Sequence, residues 1–377
     1  MATLITLEDI RGAQRRLAWV AVRTGLHRVS TQGLRAAGVG ALPFALWIKA
    51  ESEQPIGSFK LRGAYNRIAQ LSPEELGRGV ITYSSGNHAQ GVAYSARALG
   101  AKAVIVMPDN APEVKIEATK ALGAEVVLVG PASSERKAKA EELAAAHGYA
   151  VIPPYDDPAI IAGQATCGLE IVEQMGLIGD TAEDRPQRLK PASEVDAYGT
   201  AEAVPLSTTP PGRRVVVLSP VSGGGLLSGV ATAVKLATGG EGVQVWGAEP
   251  ELAADAKESF DTKTLVEWPA AKTSRTISDG LRTQSVGVLN FAHILRYVDG
   301  IVTVSEDEIV TAMRAILAAT GMTAEPSGAV TMAAALFHHE ELPECERMVA
   351  ILSGGNIEPE MQRLVAGTAS AVGQVGV

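Results

Sequence analysis

Aromatic side chains make up only 4% of the 377 residues, which excludes an interior built on stacked rings and leaves Ala, Val and other aliphatics to fill the core. Cysteine is scarcer still. Cys167 and Cys345 cannot form a disulfide framework, their spacing matches no metal motif, and both read as packed thiols of a reduced, cytoplasmic protein. Cationic charge is in deficit. With 33 Lys and Arg against 42 Asp and Glu, the net charge is −9, and no excess is available to displace counterions from a nucleic acid. No apolar run approaches the roughly eighteen residues that a membrane span needs. The first residues include Glu8 and Asp9 and lack an apolar h-region, so no secretory signal is expected. Nor is there a repeat of fixed period.

What the chain does hold is 46% hydrophobic residues, 20% charged residues and 39 glycines, about a tenth of its length against a usual level of about 7%. That composition suits an α/β protein of one large or two modest domains. From Val80 the sequence alternates short β-branched runs with helical patterns. Val80–Tyr83, Ala103–Met107, Glu125–Val129 and Ala150–Ile152 read as strands, with helices over Ala89–Leu99, Glu113–Leu122 and Ser134–His147 between them. A second series follows: strand Val215–Ser219, helix Leu226–Leu236, strand Gln244–Ala248, strand Ile301–Val304, a capping box at Ser305–Glu308, and a last strand at Met348–Leu352. Such βαβ units make parallel sheets, and ligands sit at the carboxyl ends of their strands. Between Gly176 and Arg213 the rhythm fails. Charges, prolines and small polar residues there read as a solvated surface insertion.

Three strand-end loops carry chemistry. Ser222-Gly-Gly-Gly-Leu226 lies between a strand and a helix, where converging backbone N–H groups and the positive helix end would hold a phosphate. A Walker loop would need Lys and Ser or Thr where Val230 and Ala231 stand, and a dinucleotide fingerprint would need Gly at Ser228. The alternative is a merely tight turn. Lys60, in Gly57-Ser-Phe-Lys60, is held between Phe59 and Leu61; partial burial would lower its pKa and make the amine nucleophilic, as a Schiff base requires. A lone lysine is otherwise an ordinary surface charge. Ser84-Ser-Gly-Asn-His88 offers two hydroxyls and helix N-terminal amides to a carboxylate, and Asn87 a hydrogen bond to a ring oxygen or a carbonyl. His88 alone is as readily a packed histidine. Ser353 adds a hydroxyl after the last strand.

The runs Pro55-Ile-Gly-Ser-Phe-Lys-Leu-Arg-Gly-Ala64, Ser84–Gln90, Ser222–Leu226, Ala324-Glu-Pro-Ser-Gly328 and Leu352–Asn356 occur in this order along nearly the whole chain. In this the chain resembles the fold-type II pyridoxal phosphate enzymes, within them the serine/threonine dehydratase (threonine ammonia-lyase) and serine racemase family. The resemblance implies a two-domain, tryptophan synthase β-like fold with a large domain of residues 1–80 and 153–377 and a small mobile domain of 81–152. It implies that Lys60 carries the cofactor with Phe59 against its ring. Ser222, Gly223, Gly224, Gly225 and Leu226 would bind its phosphate, Asn87 its ring hydroxyl, and Ser353 its pyridine nitrogen. Ser84, Ser85, Asn87 and His88 would hold the substrate.

The implied reaction is loss of water from L-threonine or L-serine, giving a 2-oxo acid and ammonia. Ser85 stands where dedicated threonine deaminases of the family have Ala and racemases have Ser, so some serine racemase activity is expected, with Ser85 as proton carrier. Glu249, the Ala253 carbonyl and Asp255 resemble the family's site for Mg²⁺ or Ca²⁺, oxygen ligands that suit hard cations; without the resemblance they are solvated loop charges. A homodimer is expected on the same ground. The competing readings are a 3-hydroxyaspartate dehydratase, an enzyme that is predominantly a serine racemase, a β-replacing cysteine synthase (whose Thr-Ser-Gly-Asn-Thr-Gly loop differs from the loop here), and a non-catalytic amino-acid or phosphate binder.

Overall fold

The computed structural model describes residues 3–130, 133–178 and 214–367; most of the expected insertion at 176–213 lies outside these residues. Among the described residues, ten strands form two sheets. They are β1 (Leu26–Arg28), β2 (Ala45–Ala50), β3 (Val80–Tyr83), β4 (Ala103–Pro108), β5 (Glu125–Val129), β6 (Ala150–Val151), β7 (Val215–Pro220), β8 (Val243–Pro250), β9 (Gly300–Val304) and β10 (Arg347–Leu352). One sheet has the order β5-β4-β3-β6 and is parallel throughout. The other runs β1-β2-β10-β7-β8-β9, parallel except for the antiparallel edge strand β1. Strands β4 and β7 are buried along their whole length, which is why they read as unbroken apolar runs rather than alternating ones.

Helices cover the sheets, as buried parallel strands require. Helix Pro326–Phe337 lies over β10, β7 and β8, where Ala329, Val330, Ala333 and Ala334 meet Leu218, Ala248 and Met348 in one apolar cluster. Helices Pro158–Gln174 and Gly225–Thr238 pack together on the large sheet, burying Ile171, Val172, Val230 and Val234 with Val217 and Val245. A separate cluster fills the small sheet, with Ala89, Val92 and Ala96 against Ile105 and Met107. No helix among the described residues is long and apolar enough to cross a membrane. Of the two thiols, Cys167 is buried and Cys345 only half-buried.

One buried cluster is charged. Arg62 donates to Glu51 through Nε and Nη2 at 2.7 and 2.8 Å, and to Glu170 through Nη1 and Nη2 at 2.7 and 3.0 Å. Lys49 on β2 donates to Glu170 at 2.5 Å. Burial would raise the Glu51 carboxyl, but the Arg62 guanidinium outweighs it and holds the group below its usual range. Two cations and two carboxylates thus satisfy one another, the condition under which charges persist in an interior.

Candidate active site

Every residue singled out above lies at or beside a strand's carboxyl end. Helix Lys60–Ile68 starts without a side-chain cap; its first turn is pinned instead to the loop after β10. Phe59 N donates to Ser353 O at 3.0 Å, Gly355 N donates to Gly57 O at 2.9 Å, and Asn356 Nδ2 donates to Ile56 O at 2.9 Å. Lys60 and Ser353, nearly three hundred residues apart, are therefore neighbours. The Lys60 side chain is half-buried and its Nζ donates to Pro154 O at 2.9 Å. Burial lowers its pKa to about 8. Nζ also lies 5.2 Å from the centroid of the Phe59 ring. Ser353 is 3% exposed and its hydroxyl donates to Ser327 O at 3.4 Å.

The turn between β3 and helix Asn87–Ala98 carries Ser84 and Ser85, both half-buried. Asn87 Nδ2 donates to Glu325 Oε1 at 2.7 Å, while Asn87 Oδ1 accepts from Asn356 Nδ2 at 2.7 Å. These bonds join the small sheet's loop to the large sheet. Burial, then the nearby Asp279, push the Glu325 carboxyl up to about 8, which favours its neutral form at pH 7. His88 is 3% exposed, and its Nε2 is 3.1 Å from Ile152 O. Burial first, then Lys60, push its pKa down to about 3. It sits as the packed histidine does, turned to the backbone.

The glycine loop after β7 leads into helix Gly225–Thr238, one residue earlier than the pattern suggests. Ser222 has φ +54 and Gly224 φ +91, so two residues of the turn adopt the left-handed conformation, which costs a non-glycine residue about 1 kcal/mol. Ser222 Oγ donates to Gly280 O at 2.9 Å, and Gly280 N donates to Ser327 Oγ at 2.9 Å. A Cβ at Gly223 would run into the ring of Tyr155, so only glycine fits there. Tyr155 is one residue from the carbonyl that holds Lys60. Burial, then Tyr83, raise its phenol to about 12.

These residues fit a phosphorylated carbonyl cofactor: an amine with lowered pKa, and a glycine turn at a helix N-terminus joined to it through residues 154 and 155. The chain matches the family described as pyridoxal-phosphate dependent enzyme over residues 26–354. It belongs to that family. Pyridoxal phosphate is the family's cofactor, and the chain's relatives include ammonia-lyases. It is 37% identical over 313 residues to L-threo-3-hydroxyaspartate ammonia-lyase of Saccharomyces cerevisiae, covering 83% of each chain. It is 33% identical over 357 residues to serine racemase of Schizosaccharomyces pombe, covering 95% of this chain and 96% of that one. Among solved structures, a threonine deaminase from T.th. superposes with a TM-score of 0.76 at 38% identity, over 94% of this chain and 99% of the other.

The carboxylates at 249 and 255 lie apart from Lys60 in sequence, at the end of β8. Glu249 Oε1 accepts from Lys257 N at 2.7 Å, whereas Glu249 Oε2 and Asp255 Oδ2 are buried without a partner. Burial, then Asp255, push the Glu249 carboxyl well up; burial raises Asp255 to about 7. Unpartnered buried carboxylate oxygens fit a hard cation, and Ala253 closes the short turn Glu251–Ala253 between them. No cluster of three or more His, Cys, Asp or Glu is present among the described residues, so any cation here would lean on backbone oxygen.

Sequence reasoning passed over several residues that meet in this region. Glu325 and Asn356 lie inside the motif runs Ala324–Gly328 and Leu352–Asn356, where residue type alone assigns them no role. Tyr155 and Asn290 lay in no motif at all. Pro154 lies three residues past the end of β6, close to a strand's carboxyl end, and that position was the available signal.

Proposed function

We propose that this chain removes water from a small β-hydroxy amino acid, L-threonine or L-serine, giving a 2-oxo acid and ammonia. The observation that carries the reading is the tie at residues 154 and 155, which sets the Lys60 amine beside the glycine turn. When bound, pyridoxal phosphate supplies an electron sink for the charge left at the substrate's Cα. Lys60 would carry the cofactor and, once displaced by the substrate amine, take the α-proton on Nζ; a pKa of about 8 suits an amine that must be neutral in part at pH 7. Phe59 would lie against the ring. Ser222, Gly223, Gly224, Gly225 and Leu226 would hold the phosphate, and Asn87 the ring hydroxyl. Ser353, a neutral hydroxyl, would face the pyridine nitrogen. That tempers the sink and favours loss of a β-substituent over transamination. Ser84 and Ser85 would bind the substrate carboxylate, with Ser85 also moving a proton in serine racemisation, and His88 would hold their loop. The β-hydroxyl, a poor leaving group, would take up a proton and depart as water, and the released enamine would hydrolyse to the 2-oxo acid and ammonia.

Closure of residues 81–152 over the large unit would exclude water, and the bonds of Asn87 to Glu325 and Asn356 are where it would latch. Glu249, Ala253 and Asp255 would hold Mg²⁺ or Ca²⁺. A cytoplasmic homodimer completes the proposal and rests on the family resemblance. A second reading, 3-hydroxyaspartate as substrate, is favoured by the likeness to the Saccharomyces cerevisiae ammonia-lyase. The test is the visible spectrum of the purified protein and release of 2-oxo acid from L-threonine, L-serine and 3-hydroxyaspartate, with Lys60→Ala alongside. Cofactor absorbance that vanishes in the variant, with release from one substrate, supports the proposal and ranks the substrates. Absorbance without release from any of them sinks the dehydratase reading and leaves the family.

A further inference from the structure

Four consecutive residues, Pro154 to Asp157, each bind a different part of the molecule. Pro154 O takes the Lys60 amine, and the Tyr155 ring covers Gly223. Asp156 accepts from the backbone N–H groups of Leu289, Val288 and Asn290 at 2.9, 3.1 and 3.4 Å, capping helix Val288–Tyr297. Asp157 caps the helix that follows and pairs with Arg67 at 3.1 Å. The helix that Asp156 caps reaches back to the glycine turn. Asn290 Nδ2 donates to Gly223 O at 2.7 Å, and Gly287 N donates to the same oxygen at 3.1 Å.

Asn290 is fully buried, and its Oδ1 has no partner. A buried amide oxygen left unsatisfied is unfavourable, so the fold alone gives little reason for an amide here. Its donor does have a use. The Gly223 carbonyl is a negative dipole end in a turn that must present N–H groups to an anion, so it has to be kept turned away from the bound group. Two donors on that oxygen fix the direction in which the peptide faces.

We propose that Asn290, held in place by Asp156, is the positioning residue of the phosphate-binding turn: its amide fixes the Gly223–Gly224 peptide, whose own N–H donates to Val221 O at 3.0 Å, and so sets the N–H groups of the neighbouring peptides, Gly223 and Gly225, for the phosphate. This rests on the reading of Ser222–Leu226 as a phosphate cradle. Asn290→Leu is the direct test. Leu keeps the branched, four-atom side chain of Asn and removes both the donor and the orphan oxygen; its bulkier methyl groups in a fully buried site are expected to lower stability, so the test reads the two ligands against each other.

Affinities for pyridoxal phosphate and for pyridoxal, which lacks the phosphate, are measured by absorbance titration of cofactor-free protein, with Tm of the same samples. The expected result is a rise of about tenfold in Kd for pyridoxal phosphate, equivalent to about 1.4 kcal/mol, with Kd for pyridoxal unchanged and Tm lowered equally whether or not pyridoxal is present. Equal losses for both ligands, or unchanged affinity for pyridoxal phosphate, would overturn the proposal. Should Asn290→Leu not fold, Asp156→Ala at an exposed position is read in the same way, with a rise of several-fold expected for pyridoxal phosphate alone. Wild-type protein that binds neither ligand would overturn the cradle reading itself, and that result is distinct from the others.

Discussion

Replacing Lys60 by Met should stabilise the cofactor-free protein while abolishing its function. The folded-state pKa of Lys60 is about 8 against an ordinary 10.5, and burial is the cause. At about 1.4 kcal/mol per pKa unit, holding this amine protonated in the fold costs about 3 kcal/mol, and about 2 kcal/mol once the water reaching a half-buried side chain is allowed for. Met loses the hydrogen bond to Pro154 O, worth about 1 kcal/mol, and gains apolar contact in its place. A net gain of about 1–2 kcal/mol at pH 7 follows.

The pH dependence carries the sign. Below pH 8 both folded and unfolded chains hold the proton, and the cost is fully present. Between 8 and 10.5 the unfolded chain keeps a proton that the folded chain has lost, so wild-type stability rises with pH. The advantage of Lys60→Met should therefore be largest at pH 7 and fade toward pH 10. Urea unfolding of both cofactor-free proteins at pH 7, 8.5 and 10 reads it directly. A variant less stable than wild type at pH 7, or an advantage that does not shrink with pH, would refute the argument.

Three further outcomes are expected. Ser85→Ala should abolish serine racemisation while sparing most L-dehydration, measured with L-serine by product chirality and 2-oxo acid release; equal loss of both would remove Ser85 from the proton path. Mg²⁺ or Ca²⁺ should raise the Tm of wild-type protein and leave Glu249→Gln unmoved, since the cation relieves two buried oxygens without partners; an equal shift in both proteins would place the ion elsewhere. Arg62→Met should cost about 3–5 kcal/mol in urea unfolding, because it strands Glu51 and Glu170 with Lys49 as their one cation in the cluster. A loss under about 1 kcal/mol would show that the cluster is not held by its charges.

Strands buried along their length, β4, β7 and β10, are legible as apolar runs, and the structure moves an end of each by one residue, whereas β5, exposed or half-buried throughout, is legible through its β-branched Val run instead. β2 escapes for a physical reason. Its run Ala-Leu-Trp-Ile-Lys-Ala contains Lys49, a buried cation that looks like a surface residue until Glu170, 121 residues away, supplies its partner. The glycine turn and Lys60 are legible because their chemistry demands residue types that are costly elsewhere, namely consecutive glycines and a lysine among apolar neighbours. Tyr155 and Asn290 act through shape and a single amide. Such roles depend on which segments fold together, and no local pattern records them.

Helix Lys60–Ile68 gathers these threads. It begins with no side-chain cap and with an amine that burial makes unfavourable, two features a helix start selected for stability alone would avoid. Two residues later Arg62 makes four bonds to Glu51 and Glu170, and further ones to Thr166 Oγ1 at 3.1 Å and Val22 O at 3.3 Å. That anchor lies about half a turn from the amine and so faces the opposite elements. The helix start is thus held by ion pairs it can keep in every state, while Lys60 stays free of a carboxylate that would lock it protonated. An acid within hydrogen-bond reach of Nζ would raise its pKa and remove the neutral fraction that the chemistry needs. Placing the charges on Arg62 instead of Lys60 lets one short helix be both rigid and reactive.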